Sequence, residues 1–164
     1  MQSLVISELF RTLPAAGVSC LRFNFRGVGT STGTHDDGDG ERLDVRAAVE
    51  AFVPTTAAPL IVLGWSFGAD VMLSVCEPEI AGWIAVAPPL RFGRGSESVA
   101  QDSRPKLVLL AEHDEFRDAT EVESETAEWI NTTTATIPGA SHFFVGRTDR
   151  LAELTLAWIE RLLT

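Results

Sequence analysis

The sequence is poor in cysteine and has no long apolar run. These two features argue against a disulfide-rich protein and against a membrane-spanning protein. Its 164 residues include two cysteines, Cys20 and Cys76, and both lie in apolar stretches. We therefore expect buried free thiols rather than a disulfide framework. No apolar run approaches the roughly 18–20 residues that a membrane span needs, and the first residues show neither the basic region nor the cleavage site of a secretory signal. These absences predict a protein of the cytoplasm.

Basic residues are also scarce, because 13 lysines and arginines stand against 23 aspartates and glutamates. The formal net charge is −10 at pH 7. A surface of this sign repels nucleic-acid phosphates and anionic lipids. We therefore expect neither a nucleic acid nor a membrane as partner.

Short β-rich runs alternate with helical patterns along the whole chain. The runs predicted as strands are 20–25, 60–65, 82–87, 106–111 and 132–137. The segments predicted as helices are 4–13, 43–52, 67–76, 120–130 and 148–163. Such alternation is typical of a mostly parallel sheet between two helical layers. Residues 1–164 are thus expected to form one three-layer α/β/α domain with about five strands, whose ligands bind at the carboxyl ends of the strands.

A G-x-S-x-G motif follows the second predicted strand. In Gly64-Trp65-Ser66-Phe67-Gly68 the serine stands between an apolar strand and a helix. A nucleophilic serine needs a tight, strained turn that projects its hydroxyl outward, and glycines keep neighbouring side chains from colliding with that turn. A plain tight turn is the alternative interpretation. The context favours Ser66 as a nucleophile.

A serine becomes reactive only beside a general base. The sequence contains three histidines, and His142 is the one that directly follows the last predicted strand. His35 lies in a loop rich in glycine and aspartate, where we expect it to be solvated. His113 precedes the candidate acid and suits packing or loop hydrogen bonding. His142 is therefore the candidate base.

The base in turn needs an acid that orients it. Asp114 follows the fourth predicted strand, with Glu112 and His113 between them, and is the first candidate. Its neighbours Glu112 and Glu115 are alternative acids. Asp114 could instead have a purely structural role, in which its side chain caps the loop.

Two other patterns superficially suggest a cofactor or a metal. Residues 27–33, with sequence GVGTSTG, resemble a dinucleotide-binding loop, but Thr32 occupies the last glycine position and no helix begins there. Residues 112–115, with sequence EHDE, are of types that bind metals. Adjacent side chains point in different directions, however, so they cannot converge on one ion. We expect neither a cofactor nor a metal.

Four motifs occur in a characteristic order: LRFNFRGVGTS at 21–31, DGDGE at 37–41, GWSFGA at 64–69 and GASHFF at 139–144. Together they resemble the small, capless bacterial α/β-hydrolases related to dienelactone hydrolase and the serine aminopeptidases. The chain order Ser66, Asp114, His142 is also that of the α/β-hydrolase fold. The resemblance implies Ser66 as nucleophile, His142 as base, Asp114 as acid and the Phe67 N–H as an oxyanion donor.

The same resemblance implies a serine hydrolase that forms an acyl-enzyme from a carboxylic ester or a related small acyl compound. The connection after 87 is too short for a cap domain, so we expect an open site shaped mainly by 26–35, 88–92 and 143–144. Its candidate substrate contacts are Arg26, Trp65, Pro88 and Phe143.

The sequence departs from the family in one respect. Family members have further strands and a His-Pro…Gly-Gly loop before the first helix found here. One of those strands would lie between 20–25 and 60–65, and its loop would give a second oxyanion donor. Without it, 20–25 must pair directly with 60–65 or leave backbone groups unpaired. We expect low stability or self-association, for instance as a homodimer. A catalytically impaired module that binds a small molecule is the alternative function.

Overall fold

The structure is a computed structural model that describes residues 3–92 and 95–163. Its helices are α1 (Leu4–Ala15), α2 (Glu41–Phe52), α3 (Phe67–Leu73), α4 (Ser96–Ala100), α5 (Ala119–Thr126) and α6 (Thr148–Leu163). Its strands are β1 (Leu60–Trp65), β2 (Ile80–Val86), β3 (Lys106–His113) and β4 (Thr132–Ser141). A short 3₁₀ turn, Val53–Thr55, follows α2.

The four strands form one parallel sheet in the order β1-β2-β3-β4. β2 and β3 lie inside the sheet and are almost continuously buried. For β3 this burial is what its nearly unbroken apolar run predicts, whereas β1, with a similar run, lies at the edge of the sheet. Four of the predicted strands are thus confirmed, although β2 begins two residues earlier than predicted and β3 and β4 extend beyond their predicted ends.

Helices cover both faces of this sheet. On one face, alternate residues of β3 such as Leu107 and Leu109 pack with Val5 of α1 and Leu151 of α6. On the other face, the intervening Val108 and Leu110 pack with apolar residues of α2, α3 and α5. The period-two alternation of a strand produces this division. The predicted three-layer α/β/α arrangement is confirmed.

Residues 20–25 were predicted to be a strand, and this prediction is wrong. The segment pairs with no strand in the described chain, so the sheet has four strands there rather than about five. Cys20 packs against one core cluster and Phe25 against the other. A strand needs a hydrogen-bonding neighbour, and β1 does not pair with this segment. β1 is instead an edge strand that is partly exposed at every position except Gly64.

Smaller corrections concern helix ends and cysteines. α3 ends at Leu73 rather than at Cys76, and α5 spans Ala119–Thr126 rather than 120–130. Cys20 and Cys76 are free thiols, but both are half-buried rather than buried. Cys20 belongs to the unpaired segment, and Cys76 lies beyond the end of α3, which explains their partial exposure. Across the described residues, no helix combines the length and apolarity that crossing a membrane requires.

Candidate active site

Ser66 occupies the single-residue turn between β1 and α3. Its φ angle is 55°, in the left-handed region that side chains other than glycine seldom adopt. The turn is held from both sides, because the Ser66 N–H donates to the Val86 carbonyl at 2.9 Å and the Ser66 carbonyl accepts the Ala69 N–H at 2.8 Å. One hydrogen bond to the neighbouring strand and one within the first turn of α3 thus maintain the strained backbone at a defined position.

The first glycine of the G-x-S-x-G motif is required by a close approach of two backbones. A Cβ atom on Gly64 would lie 2.3 Å from the Gly68 carbonyl oxygen, which is a clash that no rotamer relieves. A Cβ atom on Gly68 would instead make an ordinary contact of 3.7 Å with the Phe25 ring. Crowding therefore requires glycine at position 64 but not at position 68.

His142 lies directly after β4, with its ring between a hydroxyl and a carboxylate. Its Nε2 atom is 2.8 Å from Ser66 Oγ, and its Nδ1 atom is 2.8 Å from Asp114 Oδ2. The side chains of His142 and Asp114 are 4% and 5% exposed. The structure thus brings together the three residues that the sequence singles out, in a geometry that lets Nε2 accept the hydroxyl proton.

Asp114 is held in its ionised form by its partners. Burial raises the pKa of its carboxyl group, but hydrogen bonds from His142 and from the Phe116 and Arg117 N–H groups outweigh burial and lower this pKa overall. An ionised carboxylate at this position favours the tautomer of His142 that carries its proton on Nδ1.

The two neighbouring glutamates hold the histidine loop rather than the imidazole ring. Glu115 accepts the backbone N–H of His142 at 3.0 Å, and Glu112 accepts that of Gly139 at 2.7 Å. Of the three candidate acids, Asp114 is the one whose carboxylate contacts the ring.

Trp65, predicted as a substrate contact, also fixes the histidine. Its indole N–H donates to the His142 carbonyl at 3.0 Å, and its ring lies 5.3 Å from the imidazole. Both backbone polar groups of His142 are therefore engaged, because Glu115 takes the N–H and Trp65 supplies a donor to the carbonyl. Contact of Trp65 with substrate stays a prediction.

The other predicted substrate contacts differ in how accessible they are. Arg26 forms an ion pair with Asp44, to which its side chain donates hydrogen bonds of 2.8 Å and 3.2 Å. Pro88, two residues after the end of β2, is buried, which leaves little surface for a ligand. Phe143 is 45% exposed and lies 5.4 Å from the His142 ring. Contact of these residues with substrate stays a prediction, and the geometry favours Phe143.

His35 lies nearer to the site than its loop sequence suggests. Its ring is 5.1 Å from the Phe67 ring, and its Nδ1 atom is 2.8 Å from the buried Glu41 carboxylate. Its side chain is 60% exposed, as expected for a solvated residue. The contact depends on the path of the 26–35 loop, which local sequence does not determine.

Asp70 is a residue of this region that the sequence analysis missed. It is 2% exposed and accepts the N–H groups of Leu90, Arg91 and Phe92 at 2.8–2.9 Å. Burial raises the pKa of its carboxyl group, and the three N–H donors oppose that rise. An aspartate on the buried face of α3 was the available hint, since a buried carboxylate needs donors. Asp70 holds the loop whose Phe92 ring packs 5.4 Å from Phe67.

The described residues contain no group of three or more histidine, cysteine, aspartate or glutamate side chains arranged to hold a metal ion.

The chain is similar to solved α/β serine hydrolases over nearly its full length. An α/β serine hydrolase without a lid from Xanthomonas campestris is 35% identical with a TM-score of 0.86, and the match covers 99% of this chain and 75% of that one. An α/β serine hydrolase homologue from Coxiella burnetii is 33% identical with a TM-score of 0.81, covering 94% of this chain and 75% of that one. This chain belongs to the α/β serine hydrolases.

Two further comparisons do not indicate an activity for this α/β serine hydrolase. An uncharacterised protein of Rickettsia prowazekii is 30% identical over 165 residues, covering 93% of this chain and 69% of the relative. No protein-family model matches the chain. The resemblance to small hydrolases inferred from the four motifs is confirmed by the solved relatives, of whose length this chain spans about three quarters.

Proposed function

We propose that this α/β serine hydrolase cleaves carboxylic esters or related small acyl compounds through an acyl-enzyme on Ser66. The observation that carries the proposal is the continuous relay from Asp114 Oδ2 through both nitrogens of His142 to Ser66 Oγ, with 2.8 Å at each step. Such a relay is what a weakly nucleophilic serine needs to attack a carbonyl carbon.

The reaction follows from the roles of these groups. Ser66 Oγ bonds to the carbonyl carbon while its proton moves to His142 Nε2, and Asp114 stabilises the imidazolium that forms. His142 then gives that proton to the leaving oxygen, whose bond to carbon breaks to leave an acyl-serine and a free alcohol. Water attacks the acyl-serine with His142 again as base, which releases the carboxylic acid and restores the Ser66 hydroxyl.

The negative charge on the carbonyl oxygen requires backbone donors. The Phe67 N–H, which follows the nucleophile, is the donor that we assign. Loss of one donor from such a site typically lowers turnover by about 10²–10³-fold. A binding module of impaired activity is the second candidate function.

Hydrolysis of p-nitrophenyl acetate by the wild type, Ser66→Ala and Ser98→Ala tests the proposal. Ser98 is an exposed serine of α4 and serves as the matched control. We expect hydrolysis above the protein-free rate in the wild type and in Ser98→Ala, and no such excess in Ser66→Ala. Equal rates in the two variants would overturn the proposal. An absence of hydrolysis in all three, together with saturable binding of the ester, would favour the binding module.

A further inference from the structure

Three aromatic side chains surround the imidazole of His142. The ring of Phe116 lies 4.6 Å from it, that of Trp65 5.3 Å and that of Phe143 5.4 Å. His142 itself is 3% exposed, whereas Phe116 is 52% exposed and Phe143 45% exposed. The two phenylalanine rings, 6.2 Å apart, therefore present an apolar surface to solvent directly beside the base. We call Phe116 and Phe143 the histidine-side surface.

The chemistry of the proposed function determines which part of an ester meets this surface. When the tetrahedral intermediate collapses, His142 Nε2 donates its proton to the leaving oxygen, so that oxygen must come within about 2.6–3.2 Å of Nε2. The alcohol carbon attached to that oxygen then lies beside the imidazole. Aromatic rings packed against the imidazole are thus positioned to contact the alcohol part of the ester.

We infer that Phe116 and Phe143 form the binding surface for the alcohol part of the substrate, and that this surface selects aromatic or bulky apolar alcohols. The inference rests on the proposed function, because it assigns the leaving group of that reaction. It gives a specificity role to Phe116, for which the sequence motifs imply none.

The test compares two esters that form the same acetyl-enzyme and differ in the alcohol alone, benzyl acetate and methyl acetate. The measured quantity is the ratio of their kcat/KM values in the wild type, Phe116→Ala, Phe143→Ala and Phe23→Ala. Phe23 is a matched control, because it is 45% exposed and its ring packs on Phe25 rather than on His142. Intrinsic differences in ester reactivity cancel when ratios are compared between variants.

We expect the benzyl-to-methyl ratio to fall about two- to tenfold in Phe116→Ala and in Phe143→Ala, the size of one aromatic contact. Phe23→Ala should keep the wild-type ratio. If hydrolysis depends on Ser66 but the ratio is the same in all four proteins, the inference is overturned and the proposed function stands. If neither ester is hydrolysed in a Ser66-dependent manner, both are overturned.

Discussion

The Nδ1 atom of His142 lies 2.8 Å from Oδ2 of Asp114, and this hydrogen bond orients the whole site. Because one ring nitrogen is held by the carboxylate, the other must face the turn that carries Ser66. The backbone of His142 is fixed as well, by Glu115 at its N–H and by Trp65 at its carbonyl. Four contacts thus position one imidazole, which is how a site is preorganised before substrate binds.

The first prediction separates the orienting acid from its neighbour. Asp114→Asn should lower kcat for p-nitrophenyl acetate by about 10³–10⁴-fold, because the amide can stabilise the wrong tautomer of His142 and cannot stabilise the imidazolium. Glu115→Gln is the matched control. It loses one charged hydrogen bond to the backbone, and we expect a loss of about two- to tenfold. A larger loss of kcat in Glu115→Gln than in Asp114→Asn would show that Glu115, not Asp114, is the orienting acid.

The second prediction concerns Asp70. Asp70→Ala should lower the free energy of unfolding by about 1–3 kcal/mol, because it leaves the N–H groups of Leu90, Arg91 and Phe92 without their acceptor. The measurement is urea denaturation followed by tryptophan fluorescence. Asp39→Ala, at an exposed loop position, should change stability by no more than about 0.5 kcal/mol. Equal stabilities of the two variants would show that Asp70 does not hold the loop.

The third prediction follows from the exposed edge of β1. The Ser66 N–H points to Val86 of β2, so by alternation the backbone groups of Ile61, Leu63 and Trp65 point away from β2. In the described part of the chain no strand pairs with them. An apolar edge of this kind favours edge-to-edge pairing, and we expect concentration-dependent self-association in sedimentation velocity.

Two variants at one position test the role of that edge. Ile61→Pro removes an outward N–H and should shift the protein toward the monomer, whereas Ile61→Val keeps this N–H and should associate as the wild type does. A wild type that stays monomeric at high concentration, or equal association of both variants, would contradict edge pairing.

The sequence was sufficient for those features that depend on local pattern. Runs of β-forming residues identified all four strands, and the G-x-S-x-G motif located the Ser66 turn. The segment 20–25 was misassigned because a β-rich sequence becomes a strand only when a neighbour offers hydrogen bonds, and that neighbour is a non-local property. Asp114, Glu112 and Glu115 could not be separated from spacing, since their roles depend on which carboxylate faces the ring. Asp70 escaped notice because its partners lie about twenty residues further along the chain.

The central claim is that Ser66 is an activated nucleophile, and covalent labelling tests it most directly. The folded protein is treated with a fluorophosphonate probe, digested and analysed by peptide mass spectrometry. Heat-denatured wild type and Ser66→Ala serve as controls, because reactivity needs both the hydroxyl and the folded relay through His142. We predict one probe adduct on the peptide that contains Ser66 in the folded wild type and none in either control. Adducts on another residue, or equal labelling of Ser66→Ala, would contradict the claim.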